Sequence, residues 1–212
     1  MQIVSTISAV IIGYLLGSIP FAYIATRIKS GEDIRQVGGG NMGALNVMRE
    51  IDRAAGYAVW IADMAKGILA VFVAQWLDLP PLWVYAAGFA AIVGHNWPVF
   101  LGFRGGKGGA TTIGILLALV PRELGISFGI TCIIVFITHN PVLGLYIGLT
   151  PLPVFVWQLN GSGMLVAYTI FLAAFLAVRY AIAGLSKAKS GADIKKGLIF
   201  DREYSIWQTK KK

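Results

Sequence analysis

The chain has 212 residues, of which 57% are apolar and 13% are charged. Soluble domains usually carry about 25% charged residues, so this composition excludes an ordinary soluble domain and indicates a helical membrane protein. The formal net charge of +8 does not favour nucleic acid as a partner, because the aromatic residues lie within the apolar runs. It favours anionic lipid or an anionic substrate.

Seven apolar segments follow one another along the chain, and a membrane span needs roughly 20 residues. The N-terminal segment has no basic start and no small-residue cleavage site, so we interpret it as a retained span. The fourth, fifth and sixth segments are short and interrupted by prolines, and some are expected to be half-spans buried in protein. The prediction is one all-α domain over 1–212, a polytopic membrane helical bundle of about seven spans. The predicted segments are 3–25, 54–77, 82–101, 109–120, 125–138, 142–157 and 163–180.

Basic residues are concentrated in alternate loops of this arrangement. Of the 18 lysines and arginines, 16 fall in 26–53, in 102–108, or at and beyond the end of the last span. The positive-inside rule then predicts the N-terminus outside, the C-terminus in the cytoplasm and both loops on the cytoplasmic face of the cell membrane. A five-span arrangement would keep both loops on that face. The stretch 187–212 is predicted to be a basic cytoplasmic tail that binds anionic lipid.

A glycine-rich loop, residues 38–43, follows the first span. Its Gly-x-Gly-x-x-Gly spacing lacks the preceding strand of a dinucleotide site, so it is either a flexible loop or an anion site. Consecutive glycines let backbone N–H groups point into one concavity, and Arg35 and Arg49 add guanidinium forks suited to phosphate. Asn46 and Arg49 share one face of a helix predicted to begin near Gly43. That helix start would direct its positive end at the same anion.

A second glycine loop precedes the fourth apolar segment. It joins Arg104, Gly106 and Lys107 to Thr111 at the start of an apolar helix. Its spacing is not that of a Walker loop. Two such loops on one membrane face suggest a site for two phosphate groups, or for one phosphate held from both sides.

Charged and polar residues also occur within the second and third spans. Asp63 and Lys66 lie three residues apart on one helix face, and charges inside a span are usually paired or functional. Either they form an ion pair that holds the bundle together, or Lys66 faces an anionic substrate. His95 and Asn96 are either an interhelical hydrogen-bonding pair or site residues.

Several familiar catalytic patterns are absent from the sequence. Neither histidine is followed five positions later by Asp, which argues against the acyltransferase motif His-x-x-x-x-Asp. No nucleophile elbow, Cys–His pair or zinc spacing appears. We therefore predict no metal and no cofactor.

Taken in order, the motifs resemble those of the bacterial integral-membrane acyl-phosphate:glycerol-3-phosphate acyltransferases, the PlsY type. The resemblance covers most of the chain. Its motifs are Leu16-Gly17-Ser18-Ile19-Pro20-Phe21, Asp33-Ile34-Arg35, Gly40-Asn41-Met42-Gly43-Ala44, Asn46-Val47-Met48-Arg49, Asp63-x-x-Lys66-Gly67, Gly94-His95-Asn96-Trp97-Pro98-Val99-Phe100 and Gly102-Phe103-Arg104-Gly105-Gly106-Lys107-Gly108-x-Ala110-Thr111.

The resemblance implies a seven-span enzyme that moves a fatty acyl group from acyl phosphate to the 1-hydroxyl of glycerol 3-phosphate. Neither acyl-CoA nor acyl carrier protein would be the direct donor. It also implies that the donor's own phosphate takes the hydroxyl proton, which would account for the missing protein base. By resemblance, Arg49 and Lys107 bind phosphate, Asn41 and Asn46 shape the first loop, and His95 supports it.

The predicted site combines these assignments with the loop chemistry. Gly39, Gly40 and Asn41 are candidates to stabilise the oxyanion. The predicted substrate-binding residues are Arg35, Asn41, Asn46, Arg49, Lys66, His95, Arg104, Gly106, Lys107, Thr111 and Arg179.

Four positions depart from the family pattern. Gly39 and Leu45 stand where the family usually has Ser and Thr in the first loop. After Arg179, Tyr180 and Ala183 stand where it has a His and an Asn that bind substrate. The alternative to the enzyme is therefore a catalytically impaired paralogue that acts as a membrane binding protein on the same fold.

Overall fold

The structure, a computed structural model, describes residues 2–189, with side chains as far as Ala183. The predicted tail lies outside the described residues from position 190 onward. Within the described part of the chain there are ten α-helices, two short 3₁₀ helices and no strand. The α-helices are α1 Gln2–Ser18, α2 Phe21–Ser30, α3 Ala44–Glu50, α4 Arg53–Trp76, α5 Pro81–Asn96, α6 Gly109–Leu119, α7 Pro121–Thr138, α8 Pro141–Leu149, α9 Leu152–Asn160 and α10 Gly163–Lys189.

Helices cover all seven predicted apolar segments, and the all-α membrane fold is confirmed. Six stretches among residues 2–183 are long and apolar enough to cross a membrane. Helix α6 is shorter: its 11 residues extend only about 17 Å, against a hydrocarbon core of about 30 Å. Its length fits the half-span expected in this region, and that assignment stays a prediction.

The prolines of the second half begin helices more often than they interrupt them. Pro121 and Pro141 lie in the first turns of α7 and α8, where the missing N–H costs no intrahelical hydrogen bond. The fifth and sixth predicted segments are therefore longer than the sequence suggested, at Pro121–Thr138 and Pro141–Asn160. The first segment is instead broken at Pro20, between α1 and α2.

Glycines allow the helices of the first half to approach closely. Helix α1 packs along α5, and a Cβ added at Gly13 or Gly17 would collide with the backbone of Ala87 or Ala91. Gly94 of α5 lies equally close to the α1 backbone. Close backbone approach at small residues is the usual way in which membrane helices associate.

The described chain divides into two compact units, residues 2–119 and residues 120–189. The first unit contains α1 to α6 and both glycine loops. The second contains α7 to α10, in which Gly144 and Gly148 of α8 lie against α7. That residues 1–212 form a single domain remains a prediction.

The α1–α5 contact predicts opposite effects of the same substitution at two glycines. Gly17→Ala should lower the free energy of unfolding by about 1–3 kcal/mol, because the new methyl group collides with the Ala91 backbone. Gly129→Ala, in α7 with no neighbouring atoms around its Cβ position, should be neutral or slightly stabilising, since alanine is the better helix former. Thermal unfolding in detergent measures both, and equal melting temperatures would contradict the close contact.

Candidate functional site

The first glycine loop depends on backbone conformations that side chains rarely adopt. Gly38 and Gly40 have φ angles of 56° and 64°, in the left-handed region that glycine enters without steric cost. The loop follows a 3₁₀ turn at Ile34–Gln36 and ends where α3 begins, so it forms a short reversal of the chain.

Asn46, in the first turn of α3, holds this loop closed. Its Nδ2 donates hydrogen bonds to the carbonyl oxygens of Val37 and Asn41, both at 3.0 Å. Its Oδ1 accepts one from the backbone N–H of Gly39 at 3.2 Å. Because the Asn46 side chain is buried and bonded to the loop backbone, it shapes the loop, as the sequence predicted.

Arg35 is held in a fixed orientation by Asp33. The Asp33 carboxylate accepts the Arg35 backbone N–H at 3.0 Å and two side-chain N–H groups, with the Nη2–Oδ2 distance at 2.6 Å. The guanidinium also lies 5.6 Å from the ring centre of Tyr23. The Arg35 side-chain hydrogen bond is the largest effect that lowers the pKa of Asp33, from 3.8 to about 2, and burial opposes it. The same hydrogen bond raises the pKa of Arg35.

The second glycine loop lies directly over His95. The Gly106 N–H donates to the His95 carbonyl oxygen at 3.0 Å, and a Cβ at Gly106 would fall on the His95 ring nitrogen Nε2. A Cβ at Gly105 would collide with the same carbonyl. Two adjacent positions of this loop therefore require glycine because of the residue beneath them.

The two loops share one open cavity of about 430 Å³. Arg35 and Gly40 of the first loop region face it together with Arg104 and Gly105 of the second. The lining residues are Asp33, Arg35, Gln36, Gly40, Met42, Arg104 and Gly105. The wall therefore carries two guanidinium groups and glycine backbone, which is a suitable environment for a phosphate group.

Behind this cavity lies a buried ionic cluster. Lys66 Nζ is 2.7 Å from Asp63 Oδ1, and both side chains are 3% exposed. Lys66 also donates to the Ile19 carbonyl oxygen at 3.3 Å, at the break between α1 and α2. His95 Nδ1 lies 3.5 Å from the same Asp63 oxygen. The ion pair that the sequence allowed for Lys66 is present, and the role of Lys66 towards an anionic substrate stays a prediction.

The other predicted site residues differ in their exposure to solvent and in the unit to which they belong. Gly39 is exposed, and Asn41, Arg49 and Lys107 are half-buried. Thr111 is fully buried in the first turn of α6. Arg179 belongs to α10 in the second unit, where the neighbouring Tyr180 ring packs edge-on against Tyr146 at 5.3 Å.

Sequence reasoning missed the structural importance of the two aspartates. Asp33 appeared only as part of a motif, although an Asp two residues before an Arg at a turn is a recognisable local capping pattern. Asp63 appeared only as the partner of Lys66, and its contact with His95 joins α4 to the next helix, α5, across 32 positions of the sequence. Only the packing of α4 against α5 reveals that contact.

A family model described as glycerol-3-phosphate acyltransferase matches residues 7–187. The chain belongs to this family. Glycerol-3-phosphate acyltransferase 1 of Dehalococcoides mccartyi is 41% identical over 199 residues, which cover 91% of this chain and 95% of that protein. Glycerol-3-phosphate acyltransferase 2 of Moorella thermoacetica is 39% identical and covers 89% and 96% of the two chains.

Solved structures give the same result. The glycerol 3-phosphate form of PlsY (YgiH), an integral membrane glycerol 3-phosphate acyltransferase, superposes with a TM-score of 0.78 at 30% identity. The aligned region covers 88% of this chain and 93% of the PlsY chain. The lysophosphatidic acid form superposes with the same score at 26% identity and covers 96% and 100% of the chains. The resemblance seen in the motifs is thereby confirmed.

The role of Asn46 predicts a local effect of its removal. Asn46→Ala leaves the Gly39 N–H and the Val37 and Asn41 carbonyl groups without this partner, which should cost about 1–3 kcal/mol. Hydrogen–deuterium exchange in residues 37–43 should become faster. Asn160→Ala, at an exposed asparagine that ends α9, is the matched control. Unchanged exchange in the first loop would contradict this role.

The Asp33–Arg35 pair predicts a pH dependence. Because folding lowers the Asp33 pKa from 3.8 to about 2, the stabilisation is complete above the usual carboxyl pKa and is lost as the pH falls towards 2. Asp33→Asn should lower the free energy of unfolding by about 1 kcal/mol at neutral pH, and the difference from the wild type should shrink below about pH 4. Thermal unfolding at several pH values measures this, and a difference that is constant with pH would contradict it.

Proposed function

We propose that this protein transfers a fatty acyl group from acyl phosphate to the 1-hydroxyl of glycerol 3-phosphate, yielding lysophosphatidic acid and inorganic phosphate for phospholipid biosynthesis. The observation that carries the proposal is the cavity that two glycine loops and two arginines share. The family membership and the superposition on a glycerol 3-phosphate acyltransferase support it.

The reaction suits a site of this kind. The hydroxyl oxygen of glycerol 3-phosphate attacks the acyl carbonyl carbon, the bond from that carbon to the phosphate oxygen breaks, and phosphate leaves. The hydroxyl proton passes to the departing phosphate, so no protein base is required. Both substrates carry phosphate, and Arg104 supplies positive charge at the cavity wall. The charge of Arg35 is balanced by Asp33, which lines the same cavity, so Arg35 contributes oriented hydrogen-bond donors rather than net charge. Backbone N–H groups of the loops would stabilise the oxyanion that forms on attack.

Individual roles follow from position and chemistry. Arg104 in the second loop and Arg35 just before the first loop bind phosphate. Lys107 in the second loop and Arg49 in α3, after the first loop, add positive charge. Of the three oxyanion candidates, Gly39 and Gly40 already donate their backbone N–H groups within the loop, to Asn46 Oδ1 and to the Val37 carbonyl oxygen. The expectation for these two glycines is therefore corrected, and the Asn41 N–H is the candidate that we keep. Asn46 and Thr111 are buried, and their influence on substrate would pass through the loops. Lys66, His95 and Gly106 line a second cavity of about 10 Å³, which is too small for a phosphate group.

The location of the reaction follows from the distribution of charge. We place both glycine loops on the cytoplasmic face of the cell membrane, because 16 of the 18 basic residues fall on the side of the chain that the positive-inside rule assigns to the cytoplasm. There a water-soluble acceptor can meet an acyl donor held in membrane lipid. Arg179 is proposed to bind substrate from the end of the last span.

The departures from the family pattern do not favour the impaired paralogue. Gly39 contributes its backbone N–H to Asn46, so the loop closes without the usual serine hydroxyl. Tyr180 and Ala183 remove a histidine and an asparagine, and they are expected to alter substrate affinity. Restoring the histidine and the asparagine at these two positions tests that expectation.

Purified protein given acyl phosphate and labelled glycerol 3-phosphate should form lysophosphatidic acid. Arg104→Ala and Lys107→Ala should each lower kcat/KM by about 10- to 100-fold, the effect expected from loss of one charge-assisted hydrogen bond. Arg122→Ala, at an exposed arginine in the second unit, is the matched control and should retain full activity.

Two outcomes would contradict the proposal. If the wild type forms no product, while Tyr180→His combined with Ala183→Asn does, the chain is an impaired paralogue. If Arg104→Ala and Lys107→Ala both turn over at the wild-type rate, the cavity between the glycine loops is not the site.

A further inference from the structure

The ionic cluster behind the cavity contains more charge than a simple helix contact requires. Asp63 and Lys66 are both buried in α4 and form an ion pair at 2.7 Å. Taking two such charges out of water costs several kcal/mol per ion before the attraction between them compensates. Replacing a buried ion pair by neutral side chains of similar size is often neutral or stabilising. Stability alone therefore does not explain why this pair is present.

His95 connects the pair to the second glycine loop. Its Nδ1 lies 3.5 Å from Asp63 Oδ1, while its Nε2 occupies the space where a Gly106 side chain would be. The two ring nitrogens thus lie against a carboxylate on one side and the loop backbone on the other. A carboxylate at one nitrogen fixes the orientation and tautomer of an imidazole ring.

The loop that rests on His95 forms part of the cavity wall. Gly105 lines the cavity directly, and its neighbour Gly106 is hydrogen-bonded to the His95 carbonyl oxygen at 3.0 Å. Asp63, Lys66 and His95 do not belong to that wall in the described part of the chain. Together with Gly106 they line a separate cavity of about 10 Å³, which holds about one water molecule and is too small for a phosphate group. We therefore expect the pair to act on substrate through the position of the loop.

We propose that Asp63 and Lys66 are positioning residues for acyl transfer. Asp63 fixes the His95 ring, and Lys66 holds Asp63 in place. The His95 ring in turn determines how far the second glycine loop extends towards the cavity. Lys66 also ties this arrangement to the break between α1 and α2 through the Ile19 carbonyl oxygen. The predicted fall in kcat rests on the proposed function, whereas the predicted change in the position of the loop does not.

The neutral double variant Asp63→Asn/Lys66→Met separates positioning from stability. It removes both charges and leaves neither ion unpaired, so the melting temperature should stay close to that of the wild type. Loop donors displaced by about 1 Å lose transition-state stabilisation, and kcat should fall by about 100-fold. The KM for glycerol 3-phosphate should change by less than about 3-fold, because both arginines remain at the cavity.

Hydrogen–deuterium exchange supplies a measurement that does not depend on activity. Exchange in residues 97–110 should become at least about 10-fold faster in the double variant, because the loop loses the fixed imidazole ring beneath Gly106, while residues 37–43 stay unchanged. Val71→Ala, a cavity substitution at a fully buried position of the same helix, is the matched control. It should lower the melting temperature without changing kcat.

Asp63→Glu is the second variant, in case the double variant does not fold. It keeps the charge and moves the carboxylate by one methylene group, so kcat should fall and exchange in residues 97–110 should rise. Wild-type kcat with wild-type exchange in a folded variant would overturn the inference. If the wild type itself shows no turnover, the proposed function fails, and the exchange measurement alone decides this inference.

Discussion

A carboxylate buried within a membrane span must find its partners inside the protein, and the first unit is organised around this requirement at Asp63. Lys66 supplies the charge from the same helix, and His95 approaches the carboxylate from α5. Lys66 reaches further, to the Ile19 carbonyl oxygen at the break between α1 and α2. One buried ion pair thus joins α4 to α5, to the break between α1 and α2 and, through His95, to the second glycine loop.

Glycine makes this arrangement possible in two different ways. In the helices it allows backbones to approach closely, as at Gly17 against Ala91, which brings α1 beside α5 and the charged cluster between the helices. In the loops it permits positive φ angles, as at Gly40, and accommodates buried side chains beneath, as at Gly106 over His95. The same residue type therefore serves packing within the membrane and anion recognition at its surface.

Local patterns in the sequence predicted local structure well. The apolar segments became helices, and the helix expected near Gly43 begins at Ala44 with Asn46 in its first turn. The break at Pro20 was missed because the apolar run continues through it. What lies beside Lys66 and what lies beneath Gly106 depend on how one element packs against another. Periodicity and composition carry no information about such contacts.

The cavity between the two glycine loops is proposed to bind the phosphate of glycerol 3-phosphate, and the remaining roles depend on this binding. A crystal structure of the protein with this substrate bound tests the claim most directly. We expect the phosphate within hydrogen-bonding distance of the Arg104 guanidinium and of backbone N–H groups in the second loop. A phosphate found elsewhere, for example beside Arg179 alone, would contradict the account.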